Sequence, residues 1–342
     1  MTPETFVLTL ALLLAAVFTW AFRVLPRERW QILASVPLRP AENGGWQGLN
    51  LTYYGLLSAT AYALGLAVYL VLARALALPL GRALLLVALI LAFSAPAARL
   101  VARVVERNAA TFTVSGGGFV GILAAPWLVL TVTDAGHVMP LTAAMAVAFV
   151  LGEGFGRLAC ISFGCCYGKP LAGLPAPLRR LFARFGFTFR GKTRKISYAS
   201  GLEGVPVVPI QALTSVVLTV LSLAGAWLVL RARPLTALFV TLVGSLVWRI
   251  VSEQLRADAR GGGRITAYQW FSVISIVYVA ALVPFFGGAS AVAADLGAGL
   301  ASLWNPVAIL FLQGVWILIF LYTGRSMVTG SQISFHLRGE RL

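Results

Sequence analysis

Long apolar runs alternate with short polar breaks along almost the whole of this chain. "FVLTLALLLAAVFTWAF" lies near the start, and "WFSVISIVYVAALVPFF" lies in the last quarter. A helix crosses the bilayer core with about 20 apolar residues. Runs of that order, bounded by charges and turn residues, fall near 5–22, 53–73, 83–100, 117–134, 139–162, 207–230, 235–254, 267–286 and 304–324. The pattern predicts an all-α polytopic membrane protein of about nine spans. The first run reads as a retained span rather than a cleaved signal peptide. No Lys or Arg precedes it, and no small-residue cleavage site follows it.

Composition sharpens this picture. The chain has 342 residues, 59% hydrophobic and 11% charged, against roughly 25% charged in soluble domains. Its formal net charge is +16, which suits helix-orienting loops or an anionic lipid. Each basic residue close to such lipid is worth about 1 kcal/mol. Nucleic acid is not an expected partner. Basic residues gather in alternate loops: Arg27, Arg29, Arg39, Arg103, Arg107, Arg256, Arg260, Arg264 and a long connection, 169–206. That connection carries Arg179, Arg180, Arg184, Arg190, Lys192, Arg194 and Lys195, whereas the opposite loops hold Arg74, Arg82, Arg231 and Arg233. Taken literally, the positive-inside rule puts the basic face in the cytoplasm. The rule loses force where basic residues belong to a site. Residues 23–50 read as a polar linker with Trp30 and Trp46 at the interface, and the tail from Ser326 reads as a surface appendage.

Chemistry-bearing residues concentrate in "GEGFGRLACISFGCCYGKP", residues 152–170. Glu153 and Arg157 are four apart and share a helix face. That spacing fits an internal ion pair, yet an ionisable residue at membrane depth is a site candidate by default. Arg249, Glu253 and Arg256 share a face of a second helix end in the same way. Planar guanidinium groups grip phosphate through two parallel bonds and stay charged in low dielectric. Two such ends on one membrane side would suit a phospholipid headgroup. "SGGGF" puts Gly117 and Gly118 at the start of the fourth span, for close helix packing or for close approach of a ligand. Tyr54 and Gln211 open the second and sixth spans.

The three cysteines, Cys160, Cys165 and Cys166, are an odd number and make no disulfide framework. With two distant histidines and no acidic cluster, their spacing does not match a zinc motif either. They read as small packing residues, or as thiols activated by Arg157 nearby.

Taken in order, these segments resemble prolipoprotein diacylglyceryl transferases, bacterial membrane enzymes. "TYYGLL" is similar to that family's Tyr-Gly-Leu, "SAPAARL" to its Gly-Ala-Arg-Leu, and "GGGFVGI" to its glycine-rich segment. "GRLACISFGCCYG" resembles the signature, with Gly156-Arg157 and Gly168 in register; "PIQAL" and "SEQLRADARGGGRITAYQWFS" resemble the later elements. The likeness spans about residues 51–286. It departs at Cys160, Phe163 and Cys165, where polar residues are usual, at Gly116 in place of a histidine, and at Leu213-Thr214 in place of Tyr-Glu.

The resemblance implies a seven-helix transferase core, 51–286, with a basic insert at 169–206. One added helix lies on each side, within 1–50 and 287–342. It implies transfer of a diacylglyceryl group from phosphatidylglycerol to the lipobox cysteine of a prolipoprotein signal peptide, without metal or cofactor. Arg157 and Arg256 would be catalytic; Tyr54, Arg99, Gly117, Gly118, Gly168, Gln211 and Glu253 would bind substrate. Glu153, Cys160, Cys165 and Cys166 are possible accessory residues. Two alternatives remain open: a divergent paralogue with another acceptor or chemistry, and a non-enzymatic lipid-binding protein. The resemblance implies a bacterial inner-membrane protein whose basic face lies outside the cytoplasm. An Arg190→Cys substitution in a cysteine-free chain should then react with an impermeant thiol reagent added to intact cells; labelling only after lysis would place that face inside.

Overall fold

The computed structural model describes residues 1–42, 44–105, 114–258, 265–286 and 293–341, so Arg107, Arg260 and Arg264 lie outside the described residues. Helix α1 (Pro3–Val24) leads into strands β1 (Ile32–Pro40) and β2 (Trp46–Thr52). Next come α2 (Tyr53–Ala75), α3 (Leu80–Val105), α4 (Val114–Val132) and α5 (Ala135–Phe163). The basic connection holds α6 (Ala176–Phe182), β3 (Phe187–Thr188), α7 (Lys195–Ser200) and β4 (Pro206–Val207). The chain continues through α8 (Ile210–Leu230), α9 (Pro234–Leu238), α10 (Gly244–Ser252) and α11 (Ala267–Phe286). It ends with α12 (Leu296–Ala301), α13 (Pro306–Thr323) and β5 (Arg325–Ile333).

Among the described residues, eight helical segments are long and apolar enough to cross a membrane, one of them Pro234–Leu255, in which a π turn, Phe239–Val243, joins α9 to α10. Most of α4, Gly116–Val132, is a shorter apolar helix. The protein is therefore an all-α polytopic membrane protein in its spanning part.

Helix α5 is the axis. In its most apolar stretch 78% of residues are buried, against 17% in α1 and 6% in α13. Those two outer helices present most of their surface to lipid. Small residues let the backbones touch, as membrane helices require. A Cβ on Gly65 of α2 would lie 2.8 Å from the Ala148 carbonyl of α5, and one on Gly152 would lie 3.3 Å from that of Ala61. Gly154 faces Ser215 and Thr219 of α8 in the same manner. Caps set the ends: Asp134 accepts from the Gly136 N–H at 2.9 Å, and Gly164 closes α5 in the left-handed conformation at φ 72°.

The basic connection is built around Arg194, which is fully buried. Its guanidinium donates to the carbonyls of Ile161 (3.0 Å), Ser162 (2.7 Å), Leu25 (3.0 Å) and Arg190 (2.8 Å), and also to that of Arg27. One side chain thus ties the ends of α1 and α5 to the insert. Burial pulls it down to about 10, which still leaves it charged at neutral pH.

The linker and the tail are more ordered than their sequences suggest. Strands β1, β2 and β5 form an antiparallel sheet in that order, with Val36 opposite Leu49 and Leu49 opposite Gly330. Buried Asn50 crosslinks it, accepting from Ser35 at 2.6 Å and donating to Thr329 at 3.2 Å. The tail is therefore paired to the sheet rather than merely appended, its Thr329 meeting a partner 279 residues away.

Arg194→Met should lower stability by at least about 3 kcal/mol, because several buried carbonyls lose a charged donor at once. Thermal unfolding in detergent checks this, and an unchanged midpoint would contradict the clamp.

Candidate functional site

The site begins with a carboxylate inside the bundle. Glu153 lies on α5 with a side chain only 6% exposed, where an unpaired charge would be very costly. It accepts from the guanidinium of Arg157, one turn along its own helix, and from that of Arg249 on α10. The spacing of Glu153 and Arg157 is thus an ion pair, as the helix periodicity allows. The sequence groups Arg249 with Glu253 and Arg256 at a helix end, but Arg249 was not among the expected catalytic or substrate-binding residues. Its signal was present: an arginine inside an apolar span, on a face shared with Glu253.

A second charged unit comes from outside the helices. Arg256 holds Asp258 through two parallel bonds, 2.8 and 2.7 Å, and lies 3.9 Å from Glu253. The backbone positions it. Gly168 pairs with Arg256 in an antiparallel bridge, the Lys169 N–H donates to the Leu255 carbonyl at 2.9 Å, and the Ala257 N–H donates to Tyr167 at 3.1 Å. A Cβ on Gly168 would overlap the Val208 backbone, which explains glycine there. Gly168 therefore serves close approach of backbone to backbone.

Arg157, Arg249, Arg256, Glu153, Glu253 and Trp248 line a narrow polar cleft, part of it open. Glu153 and Arg249 also border a narrow, largely apolar cleft with Phe119, Phe149, Tyr268 and Phe271. The ion-pair network is the wall between them. Buried polar atoms without a partner include Arg157 Nε and Ser275 Oγ, which border the two clefts, and Gln211 Oε1 near the turn after α5. Such atoms cost about 1–3 kcal/mol each when unsatisfied and so mark places for a ligand or water. Gln211 Nε2 donates to the Cys165 carbonyl at 2.9 Å, so this side chain holds the turn after α5.

The remaining sequence candidates are distributed unevenly. Gly118 borders the apolar cleft, where a Cβ would meet Phe149 at 2.8 Å. Gly117 instead packs α4 on α3, against Ser94 and Ala98. Gly116, where the resembled family has histidine, faces Val101 so tightly that a side chain would overlap it. Arg99 is not brought into the site: it is exposed on α3 and stacks on Tyr322 at 5.4 Å. Tyr54 packs edge-on against Phe163 at 5.6 Å, beside the cysteines.

Those cysteines come together. Gly164 and Cys166, both with positive φ, fold the chain back, and the sulfurs of Cys160, Cys165 and Cys166 lie within 4.8 Å of one another. Hydrogen bonding with Cys160 and Cys166, together with burial, pushes the Cys165 thiol well above its usual range. This opposes the reading of Cys165 as a ready thiolate nucleophile.

Fold and site together define a polytopic membrane protein with a charged centre walled between a polar and an apolar cleft. Residues 46–285 match the prolipoprotein diacylglyceryl transferase family, and the chain belongs to that family. It is 28% identical over 131 residues to a phosphatidylglycerol–prolipoprotein diacylglyceryl transferase of Clostridium tetani. That match covers 37% of this chain and 45% of the relative's length. No solved structure matches.

Glu153→Gln should cost about 3–5 kcal/mol of stability, because Arg157 and Arg249 lose the charge that compensates them. A thermal midpoint equal to the parent's would show that the network is not what joins α5 to α10.

Proposed function

We propose that this protein transfers a diacylglyceryl group from phosphatidylglycerol to the lipobox cysteine thiol of a prolipoprotein, at the outer face of a bacterial inner membrane. Family membership supports the reaction type. The observation that carries the reading is the pair of clefts meeting at Glu153 and Arg249. A phospholipid has the same division: a phosphate for the polar side and acyl chains for the apolar side.

Three carboxylates accompany the three arginines in this site, Glu153, Glu253 and Asp258. Phosphate binding is thus an exchange of partners, with Arg157, Arg249 and Arg256 turning from carboxylate to phosphodiester. The unpartnered Arg157 Nε is the first donor on offer. Gln211 bonds to the Cys165 carbonyl and Tyr54 packs on Phe163, so in this reading they hold the turn after α5 instead of lining the cleft.

In the reaction, the acceptor sulfur attacks the diacylglyceryl carbon that bears the phosphate ester. The C–S bond forms and the C–O bond breaks, with its electron pair going to the phosphate oxygen of the leaving glycerol phosphate. The second charge that develops on this phosphate meets the arginines, the electrostatic contribution that usually dominates such catalysis. The thiol proton leaves to water, since the phosphate monoester, with a second pKa of about 6, stays mostly dianionic at neutral pH. Atoms and charge balance without a side-chain base. This accommodates glycine at position 116 and threonine at position 214.

The purified protein in phosphatidylglycerol vesicles should add one diacylglyceryl mass to a synthetic lipobox peptide, and none to its Cys→Ser counterpart. Arg157→Lys should lower the rate by about 100-fold with the fold intact, since lysine lacks the fork that fits two phosphate oxygens. A peptide left unmodified by folded protein would contradict the assignment.

A further inference from the structure

The reaction proposed above uses the acceptor's thiol and leaves the protein's own three cysteines without a role. We propose that Cys160, Cys165 and Cys166 form a binding site for a single thiophilic d10 cation, with Cu(I) preferred and Zn(II) the weaker occupant.

Three features of the structure support this. The first is convergence. The sulfurs lie within 4.8 Å of one another, and each cysteine is half-buried and free of disulfide bonds. Metal–sulfur bonds of about 2.3 Å set sulfurs about 3.8–4.0 Å apart in tetrahedral or trigonal coordination. Closing the trio onto one ion therefore takes less than about 1 Å of side-chain motion. The second is the backbone. Cys166 has φ 54°, a conformation that L residues other than Asn, Asp and Gly rarely adopt. Packing alone gives no reason to hold a cysteine there, whereas bringing a third sulfur back to Cys160 does. Gly164 in the left-handed region and the bond from Gln211 to the Cys165 carbonyl fix the same turn.

The third is the donor set and its charge. Among the described residues, the cluster contains sulfur and no histidine or carboxylate. An all-thiolate set of three selects soft cations, Cu(I) above all, whereas zinc takes a fourth ligand. Three thiolates around Cu(I) leave a net negative charge. Arg157 and Arg256 act electrostatically on Cys166, and Arg157 also on Cys160, which offsets that charge.

The test uses the full-length protein in detergent, reduced and free of oxygen. The chain is loaded separately with Cu(I) and with Zn(II), passed through gel filtration, and assayed for retained metal and for cysteines protected from alkylation. The expected result is one Cu(I) per chain, less Zn(II), and all three cysteines protected together. C160S, C165S and C166S should each weaken retention at least tenfold, while His137→Ala and His336→Ala leave it unchanged. C160A, C165A and C166A, checked by thermal unfolding, separate loss of a ligand from loss of the fold. Absence of retained metal in the parent would overturn the proposal. So would retention that survives the triple serine variant, or that depends on only two of the cysteines.

Discussion

A carboxylate cannot stand alone inside a bilayer, and the architecture around Glu153 follows from that constraint. At contact distance and an effective dielectric near 20, each of its two ion pairs is worth about 4 kcal/mol before desolvation is subtracted. The attraction is enough to fix one helix against another. Arg157 comes from the same helix, α5, and Arg249 from α10. The network therefore does two things with one charge. It closes the bundle around its central helix, and it sets guanidinium groups at the boundary between a polar and an apolar cleft. In the function proposed here, a headgroup with one negative charge takes over some of these bonds, and the structural pairing doubles as a reservoir of phosphate donors.

Backbone contacts complete what the charges begin. The turn after α5 is stitched to the segment that carries Arg256, with Gly168 placed where a side chain would strike Val208. On its outer side, Arg194 gathers the carbonyls at the ends of α1 and α5. Much of the basic insert's charge faces outward, but this arginine acts as a structural clamp. Its burial and its several carbonyl acceptors would be hard to replace with any other side chain, because only guanidinium offers five donors in a fixed fork.

The order of the spans was legible in the sequence because apolar length decides whether a segment can span a membrane. Of the nine expected, eight reach spanning length among the described residues, and the fourth, Gly116–Val132, is shorter. Glu153 and Arg157 were legible for a related reason: charge inside an apolar span is conspicuous. Arg256, expected on the same helix face as Arg249, instead lies past the helix end in extended backbone. What escaped was set by tertiary pairing. Arg249 looked like part of a local helix-end pair, and its partner Glu153 is 96 residues away. The sheet of β1, β2 and β5 escaped because β1 is exposed along nearly its whole length and carries Pro37 and Pro40, which edge strands tolerate. The cysteine cluster escaped because its spacing matches no metal motif; only the left-handed residues of the turn bring the sulfurs together. Gly117 and Gly118 are adjacent in sequence, yet one packs on α3 and the other borders the apolar cleft. Periodicity says that they point in different directions, but not toward what.

The central claim is that the Glu153–Arg157–Arg249 wall divides a bound phospholipid into its phosphate and its chains. A cryo-electron microscopy map of the protein in phosphatidylglycerol nanodiscs tests it directly. The account predicts phosphate density within hydrogen-bond reach of Arg157 and Arg249, and acyl density beside Phe119 and Phe271. Lipid density confined to the outer faces of α1 and α13, with Glu153 still holding both arginines and both clefts unfilled, would contradict it.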